Sequence, residues 1–243
     1  MGHFKSMVRR VGSRMRAVIL EENGDDHGLL RALGHAAYSN MMHRHGDFAV
    51  VHGYANALQA WQGMNSEQAF AQGQVFMLPN MTWGQPTYWV LRMVEESYQP
   101  RLLRLADKWT AQAGDTLDVV AVRGDSTVVL RVVNFGNADV PLRVAFDHVG
   151  PSTATGGPVP PSHCTVSVLQ GQDGGPLEEN TPWDTHRVAA AVRDQLYDAA
   201  ARTLHVPRMS FVVLTCKWEL RAPAELTQLT VTAALASART SVQ

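Results

Sequence analysis

The sequence predicts an α/β segment followed by an all-β segment, and two observations support this division. Up to about residue 100, short apolar runs alternate with segments whose apolar residues have helical spacing. Beyond that point, short runs with β-type alternation dominate, and Gly, Asn and Asp turns separate them. No period of about 20–50 residues repeats, so the pattern is not that of a solenoid.

The first strand is predicted at 17–20, a short apolar run typical of a buried parallel strand. It ends in the polar loop 21–26, which places Glu21 and Glu22 at its carboxyl end. A helix is predicted over 29–45, with Asp25 or Asp26 as its N-cap and a stop at Gly46.

Three further elements follow before residue 100. The mostly apolar stretch 48–61 predicts a short helix that runs into another strand. A buried strand is predicted at 75–78, where Pro79 closes it. Pro86 suits the first turn of a helix, and an apolar stripe carries that helix to about Glu96.

The second half predicts a sandwich of short antiparallel strands. The predicted strands are 117–122, 127–134, 141–146, 164–169 and 209–216, and the Pro- and Gly-rich stretch 150–162 is a loop. By composition alone, 187–201 is helical. After about Lys217 the alternation is weak, so we expect a partly disordered tail over 218–243.

Composition narrows the function classes. Acidic and basic residues nearly cancel, with a formal net charge of −1, so no basic face invites nucleic acid. No apolar run reaches the length of a membrane span, and the basic N-terminus lacks the apolar core of a signal peptide. For Cys164 and Cys216, two free thiols are favoured over one disulfide, and they do not reveal the compartment.

Two stretches carry a resemblance to a known family. LLRALGHAAYSNMMHRHGDFAVVHGYANAL and QVFMLPNMTWGQPTYWVLRMV form the first, whose shared residues are Gly84, Pro86, Tyr88, Trp89 and Val90. LDVVAVRGDSTVVLRVVNFGNADVPLRVAFD, ENTPWDTHRVAAA and VPRMSFVVLTC form the second. Both resemble segments of family-51 glycoside hydrolases, the α-L-arabinofuranosidases, in the same order along the chain. The resemblance covers 17–214.

This resemblance implies a division into domains. Residues 1–100 would be the C-terminal remnant of a catalytic (β/α)8 barrel, and 101–217 an antiparallel β-sandwich, followed by the tail. It also implies that Val188 lies in an extended segment and that 193–203 is a linker, against the helix that composition suggests. Secretion is the leading expectation for a full-length parent protein.

The resemblance further implies a retaining glycosidase, which needs two carboxyl groups about 5–5.5 Å apart. The family's nucleophile stands in a VSE motif at a strand end, which matches Ile19-Leu20-Glu21. Glu21 is therefore the expected nucleophile, with Glu22 as the alternative register. The plainer interpretation is that both are solvated loop acids or charges at a helix N-terminus.

The second carboxyl group lies outside this resemblance. In the family, the general acid belongs to an Asn-Glu pair several strands upstream, and the 20 residues before Glu21 contain no such pair. A barrel cannot close from two βα units. We therefore expect the chain alone to be inactive. The chemistry itself requires no cofactor.

Three residues are candidates for substrate binding. Gln74 and Asn56 could hydrogen-bond the sugar, although local backbone capping is the plainer role for both. Of the three aromatic residues nearby, Trp83 is the best candidate for exposure and for stacking on a sugar, although core packing is the plainer role for it. Tyr88 and Trp89 are expected to pack.

No metal site is predicted. Five histidines crowd residues 27–52, but His43 and His45 diverge on a helix, and no zinc-type spacing occurs. The expected partner is an arabinose-containing polysaccharide or oligosaccharide, without nucleic acid or membrane. The alternative function is a non-catalytic β-sandwich module with a barrel remnant, which binds carbohydrate or a partner.

Overall fold

The computed structural model describes residues 2–22, 24, 26–61, 72–105, 116–146, 160–219 and 228–233. Within these ranges the protein is a mixed fold of three helices and three sheets, and the strands described do not close a barrel. The helices are α1 (Gly2–Arg10), α2 (Leu29–Arg44) and α3 (Pro86–Glu96). The predicted helices over 29–45 and 86–96 are thereby confirmed.

The N-terminus of α2 differs from the prediction in its cap. Gly28 is the N-cap residue and makes no side-chain capping bond. Asp26 Oδ1 instead accepts a hydrogen bond from Gly28 N at 2.7 Å, which fixes the entry into the helix. Asp25 lies outside the described residues.

Two small sheets belong to the first part of the chain. In one, β1 (Ala17–Glu22) and β2 (Ala49–Tyr54) run parallel. In the other, β3 (Leu58–Ala60) pairs in parallel with β4 (Val75–Leu78), which pairs in antiparallel with β5 (Met81–Gly84). The strands predicted at 17–20 and 75–78 are therefore confirmed.

The helix predicted within 48–61 is wrong, because strand pairing organises this stretch. Ala49 lies opposite Ala17 and Val51 opposite Val18, and Ala17 N donates to Phe48 O at 2.8 Å. An apolar run of this length is ambiguous between helix and strand when judged alone. The partner strand β1 resolves the ambiguity, and that partner is about 30 residues away.

Ten strands form the large sheet. They are β6 (Arg101–Leu105), β7 (Leu117–Arg123), β8 (Thr127–Asn134), β9 (Val140–Ala145), β10 (His163–Gly171), β11 (Val188–Val192), β12 (Tyr197–Asp198), β13 (Thr203–Val206), β14 (Ser210–Lys217) and β15 (Gln228–Ala233). Their order is β11-β10-β14-β8-β7-β6-β15-β9-β13-β12. The pairing is antiparallel except between β15 and β6.

Strands β7, β8, β10 and β14 bury both of their faces. On one face Val119 and Leu130 share an apolar cluster with Leu142 of β9, so the two halves of the sheet lie against each other. On the other face Val120, Phe211 and their neighbours share a cluster with the apolar sides of α2 and α3. The period of two along each strand sends successive residues to these two cores.

In the tail that was expected to be partly disordered, residues 228–233 form β15, which lies between β6 and β9. The preference for two free thiols is wrong. Cys164 and Cys216 form a disulfide, because the register of β10 and β14 places them directly opposite each other, with their Cα atoms 4.1 Å apart. Neither the strand partner of β15 nor this register can be derived from local composition.

Residues 187–201 contain two strands and no α-helix. Val188 begins β11, as the family resemblance implies and against the composition. The expected linker contains the short 3-10 turn Asp194–Leu196 and β12. Pairing of β11 with β10 gives the backbone of this alanine-rich stretch its hydrogen bonds.

A buried arginine fixes the end of α3 to the large sheet. Arg131 of β8 is fully buried, and its guanidinium donates to Val94 O, Ser97 O and Ser97 Oγ at 3.0–3.1 Å. Burial lowers the pKa of Arg131 to about 10, so it is a cation at neutral pH. The negative end of the helix dipole stabilises a cation at this position.

Asn180 joins the N-terminus of α3 to the large sheet. Its Nδ2 donates to Gly84 O and Val188 O, both at 2.8 Å, and its Oδ1 accepts from Val188 N at 2.7 Å. Its backbone N donates to Gln85 Oε1, and its backbone O accepts from Gln85 Nε2 and Trp83 Nε1. Every polar atom of this buried residue therefore has a partner.

Replacement Asn180→Ala should lower the free energy of unfolding by about 2–4 kcal/mol, because three hydrogen bonds are lost and the buried Val188 N–H loses its acceptor. Urea unfolding followed by tryptophan fluorescence measures this loss. The matched control is Asn137→Ala, which truncates an exposed asparagine and should leave the midpoint unchanged. Equal midpoints for the two variants would contradict this role of Asn180.

Candidate functional site

Strand β1 presents its two glutamates in different environments. Glu21 is exposed, whereas Glu22 is half-buried. The register of β1 on β2 is irregular between Ile19 and Glu22, where the two glutamates lie. The sequence places both glutamates at the end of the strand, and the structure shows that they differ in solvent exposure.

The carboxylate of Glu22 faces α2. Its Oε2 lies 3.4 Å from Nε2 of His35, a side chain that is only 2% exposed. Arg31 Nε donates to the same histidine nitrogen at 3.3 Å, so His35 carries its proton on Nδ1. Among the described residues, neither Glu22 Oε2 nor His35 Nδ1 has a hydrogen-bond partner, although both atoms are buried.

Burial disfavours the charged forms of both Glu22 and His35. It raises the pKa of Glu22 to about 7, and Arg31 offsets only part of this shift. Burial, and then the charges of Arg31 and His52, lower the pKa of His35 to about 3. At neutral pH the histidine is uncharged, so the short distance does not represent a salt bridge.

Aromatic rings form the wall beside Glu22. The ring of Tyr54 stacks on His35 with centroids 4.3 Å apart and meets His52 edge-on at 5.1 Å. The Tyr54 hydroxyl lies 2.7 Å from Ser39 Oγ and donates to His35 O at 3.1 Å. Burial raises the pKa of Tyr54 and, together with the charge of Glu22, that of Tyr38. This wall accounts for the low polarity around the carboxyl group.

Arg31 connects three segments at this point. Besides His35, its guanidinium donates to Asp26 O in the loop after β1 and to Gln72 O before β4. A Cβ added to Gly24 would lie 2.7 Å from Arg31 Nε, so only glycine leaves room for the arginine there. Arg31 therefore fixes the loop that follows Glu21 and Glu22.

Backbone hydrogen bonds place Asn56 and Gln74 near the carboxyl end of β1. Ala55 N donates to Glu22 O at 3.3 Å, and Gln74 N donates to Asn56 O at 2.9 Å. Asn56 is exposed. Gln74 is buried, and neither polar atom of its side chain has a hydrogen-bond partner among the described residues. Two candidates from the sequence thus lie beside the carboxyl end of β1.

Trp83 is packed in the core, which was its plainer expected role, and it is not the exposed stacking ring. It is 4% exposed, and its indole N–H donates to Asn180 O at 3.0 Å. The residue lies on β5 opposite Phe76 of β4, and its ring contacts those of Phe76 and Trp61. A contact with a residue almost 100 positions away buries this tryptophan.

The surroundings of Glu22 were not identified from the sequence. Arg31 and His35 have the i,i+4 spacing that places two side chains on one helix face, close after two glutamates, and this was the available signal. The described residues contain no group of three or more His, Cys, Asp and Glu that could hold a metal ion. Among them, no helix combines the length and apolar character needed to cross a membrane.

Replacement Glu22→Gln should raise the stability of the fold above pH 6.5. An unfolded glutamate titrates near 4.5, whereas Glu22 titrates near 7 in the fold, so the folded state binds more protons between these values. Stability from Glu22 is therefore fully present below 4.5 and is lost as the pH rises through 7. The glutamine variant should lack this loss, as urea unfolding between about pH 6.5 and 8.5 would measure.

His35 changes the free energy of unfolding with the opposite pH dependence. The stability that the neutral His35 contributes is lost as the pH falls from 6.5 towards 3. That contribution levels off about one pH unit above 6.5 and is shared by the wild type and Glu22→Gln, so the difference between their curves isolates Glu22. Parallel stability curves for the wild type and Glu22→Gln across the measured pH window would contradict the assignment.

Comparisons with known proteins identify the type of fold. No family model matches the sequence, and no curated protein matches it. The GH51 α-L-arabinofuranosidase of Thermotoga petrophila RKU-1 has a TM-score of 0.61 and 12% identity, over 85% of this chain and 44% of that one. The GH51 arabinofuranosidase from Xanthomonas axonopodis pv. citri has a TM-score of 0.56 and 14% identity, over 82% and 37%.

A second type of glycosidase is also similar. The catalytic domain of GH30 xylanase C from Talaromyces cellulolyticus has a TM-score of 0.51 and 14% identity, over 85% of this chain and 42% of that one. The chain spans less than half the length of these solved structures. At such identities the likeness concerns the fold alone, which is similar to part of the fold of these proteins.

Proposed function

We propose that this chain is the C-terminal part of a retaining α-L-arabinofuranosidase that releases terminal arabinofuranosyl residues from arabinose-containing polysaccharides. The observation that carries the proposal is Glu21, an exposed carboxylate at the carboxyl end of a parallel strand. The likeness to GH51 structures over more than four fifths of the chain supports it. The family resemblance around the same strand, which was identified independently from the residues, supports it further.

The exposed face of the parallel strands supports a barrel remnant in residues 1–100. Leu20 is 82% exposed, and Val18, Val51 and Leu58 are also exposed. Apolar side chains on parallel strands are normally covered on both faces. We propose that further strands of a (β/α)8 barrel cover this face, and that 101–217, together with β15, form the β-sandwich.

Accessibility favours Glu21 over Glu22 as the nucleophile. A nucleophile must reach the anomeric carbon. Glu22 is enclosed beside His35, and burial raises its pKa to about 7. In the proposed reaction, a Glu21 oxygen bonds to the anomeric carbon as the glycosidic C–O bond breaks, and a general acid protonates the leaving oxygen. Water then hydrolyses the glycosyl ester.

The other groups have supporting roles in this proposal. The general acid comes from βα units outside this chain. Asn56 is an exposed amide next to Glu22, and it would bind a sugar hydroxyl. A sugar hydroxyl would also supply the hydrogen bond that the enclosed amide of Gln74 lacks. Trp83 has no direct contact with the sugar, because its indole is buried.

The test uses a protein in which this chain is joined to the upstream part of its barrel, assayed on a chromogenic α-L-arabinofuranoside. Glu21→Gln should lower kcat by about 10³-fold or more, since the covalent step is removed. Glu22→Gln, the matched control on the same strand, should retain most of the activity. Full activity of Glu21→Gln would refute the assignment, and a loss confined to Glu22→Gln would transfer it to Glu22.

A second measurement distinguishes a nucleophile from a residue that is merely required. Glu21→Gly leaves space at the anomeric carbon, so added azide should restore turnover. Azide then forms the C–N bond on the face that the carboxylate occupied, and the product is the β-glycosyl azide. Absence of this product, with activity still abolished, would contradict a nucleophilic role.

A further inference from the structure

An exposed tryptophan stands on a rigid turn of the segment that follows Asn180. Trp183 is 73% exposed. Thr181 N donates to Asp184 O at 3.1 Å, and Asp184 N donates to Thr181 O at 3.2 Å, which closes the turn. The Thr181 hydroxyl accepts a further bond from Asp184 N. This turn holds the apolar ring of Trp183 in solvent. Exposing that apolar surface to water is unfavourable for the isolated chain.

Trp183 is the outer end of a row of rings. It meets Trp61 edge-on with centroids 5.5 Å apart, and Trp61 meets Trp83 at 6.1 Å. Trp83 stacks on Phe76 at 6.1 Å, and Phe76 meets His27 at 4.8 Å. His27 belongs to the loop after β1, which carries Glu21. This aromatic row, His27-Phe76-Trp83-Trp61-Trp183, therefore connects the candidate site to the exposed ring.

A cavity of about 280 Å³ adjoins the row at Trp83. Tyr88 and Trp89 line it on one side, and Thr185 and His186, which follow Trp183, line it on the other. The indole N–H of Trp89 is buried and has no hydrogen-bond partner among the described residues. The remaining lining residues are Val75, Thr82 and Gly84, so the lining has no Lys, Arg, Asp or Glu.

We propose that Trp183 and this cavity bind a neutral carbohydrate chain, at a site separate from Glu21. A sugar ring has an apolar C–H face that packs on an exposed indole and a rim of hydroxyl groups. The threonine hydroxyls, the His186 imidazole and the unpartnered Trp89 N–H provide donors and acceptors for such a rim. The choice of ligand rests on the proposed glycosidase function, whereas the exposed ring and the cavity do not.

The experiment measures binding of the full chain to soluble arabinan and to arabinoxylan by isothermal titration calorimetry and by retardation in polysaccharide-containing gels. Trp183→Ala should weaken binding about tenfold or more, and Trp183→Tyr, which keeps a ring, should retain most of it. Tyr98→Ala is the matched control, since it removes a 60% exposed aromatic at the other end of α3. It should bind as the wild type does.

Several outcomes would overturn the proposal. They are equal affinity of Trp183→Ala and the wild type, an equal loss in Tyr98→Ala, and no binding of either polysaccharide by the wild type. A change in oligomeric state in Trp183→Ala without a change in glycan affinity would assign the ring to a protein interface instead. Unfolding midpoints confirm that each variant is folded, which the exposure of both side chains favours.

These experiments test glycan binding by Trp183 and hydrolysis by Glu21 separately, so either proposal can be refuted without the other. Glycan binding that depends on Trp183 and persists in Glu21→Gln supports the inference, whether or not the longer protein hydrolyses arabinofuranosides. If hydrolysis is absent while this binding is present, the chain is a carbohydrate-binding module rather than part of an arabinofuranosidase. If hydrolysis depends on Glu21 while binding is indifferent to Trp183, only the inference fails.

Discussion

The segment 176–180 holds the helical and β-rich parts of this protein together through hydrogen bonds to helix N-termini. The first N–H groups of a helix have no partner within the helix. At the start of α2, Leu29 N donates to Glu178 O and Leu30 N donates to Pro176 O, both at 2.8 Å. Asn180 holds the entry into α3 differently, through hydrogen bonds with the side chain of its N-cap residue Gln85 and with Gly84 O. One segment of the β-rich part thus contacts the N-terminal ends of both helices that pack on the large sheet.

The position of α2 in turn decides the chemistry at Glu22. The helix places Arg31 and His35 against the end of β1, where they enclose one carboxyl group and leave its neighbour Glu21 in solvent. Two adjacent glutamates therefore have different properties. The pKa of Glu22 is raised to about 7, and Glu22 lies beside the loop that Arg31 fixes, whereas Glu21 is exposed.

The same segment carries the surface that we assign to carbohydrate. Asn180 O accepts the indole N–H of Trp83, and the turn that exposes Trp183 begins at the next residue. The aromatic row therefore depends on the contact that fixes α3. A change that loosened Asn180 would disturb fold and recognition surface together, whereas a change at Trp183 would disturb the surface alone.

The sequence by itself determined the elements whose signals are local. Period, turn residues and Pro86 predicted α2, α3, β4 and β8 closely, and the acidic loop after an apolar run placed Glu21 and Glu22 at a strand end. Only the tertiary structure decided which partner each segment meets. Pairing with β1 made β2 a strand, register joined Cys164 to Cys216, and a contact with Asn180 buried Trp83. The environment that separates Glu22 from Glu21 belongs to this second group, because burial and strand register depend on residues distant in the chain, which no local pattern records.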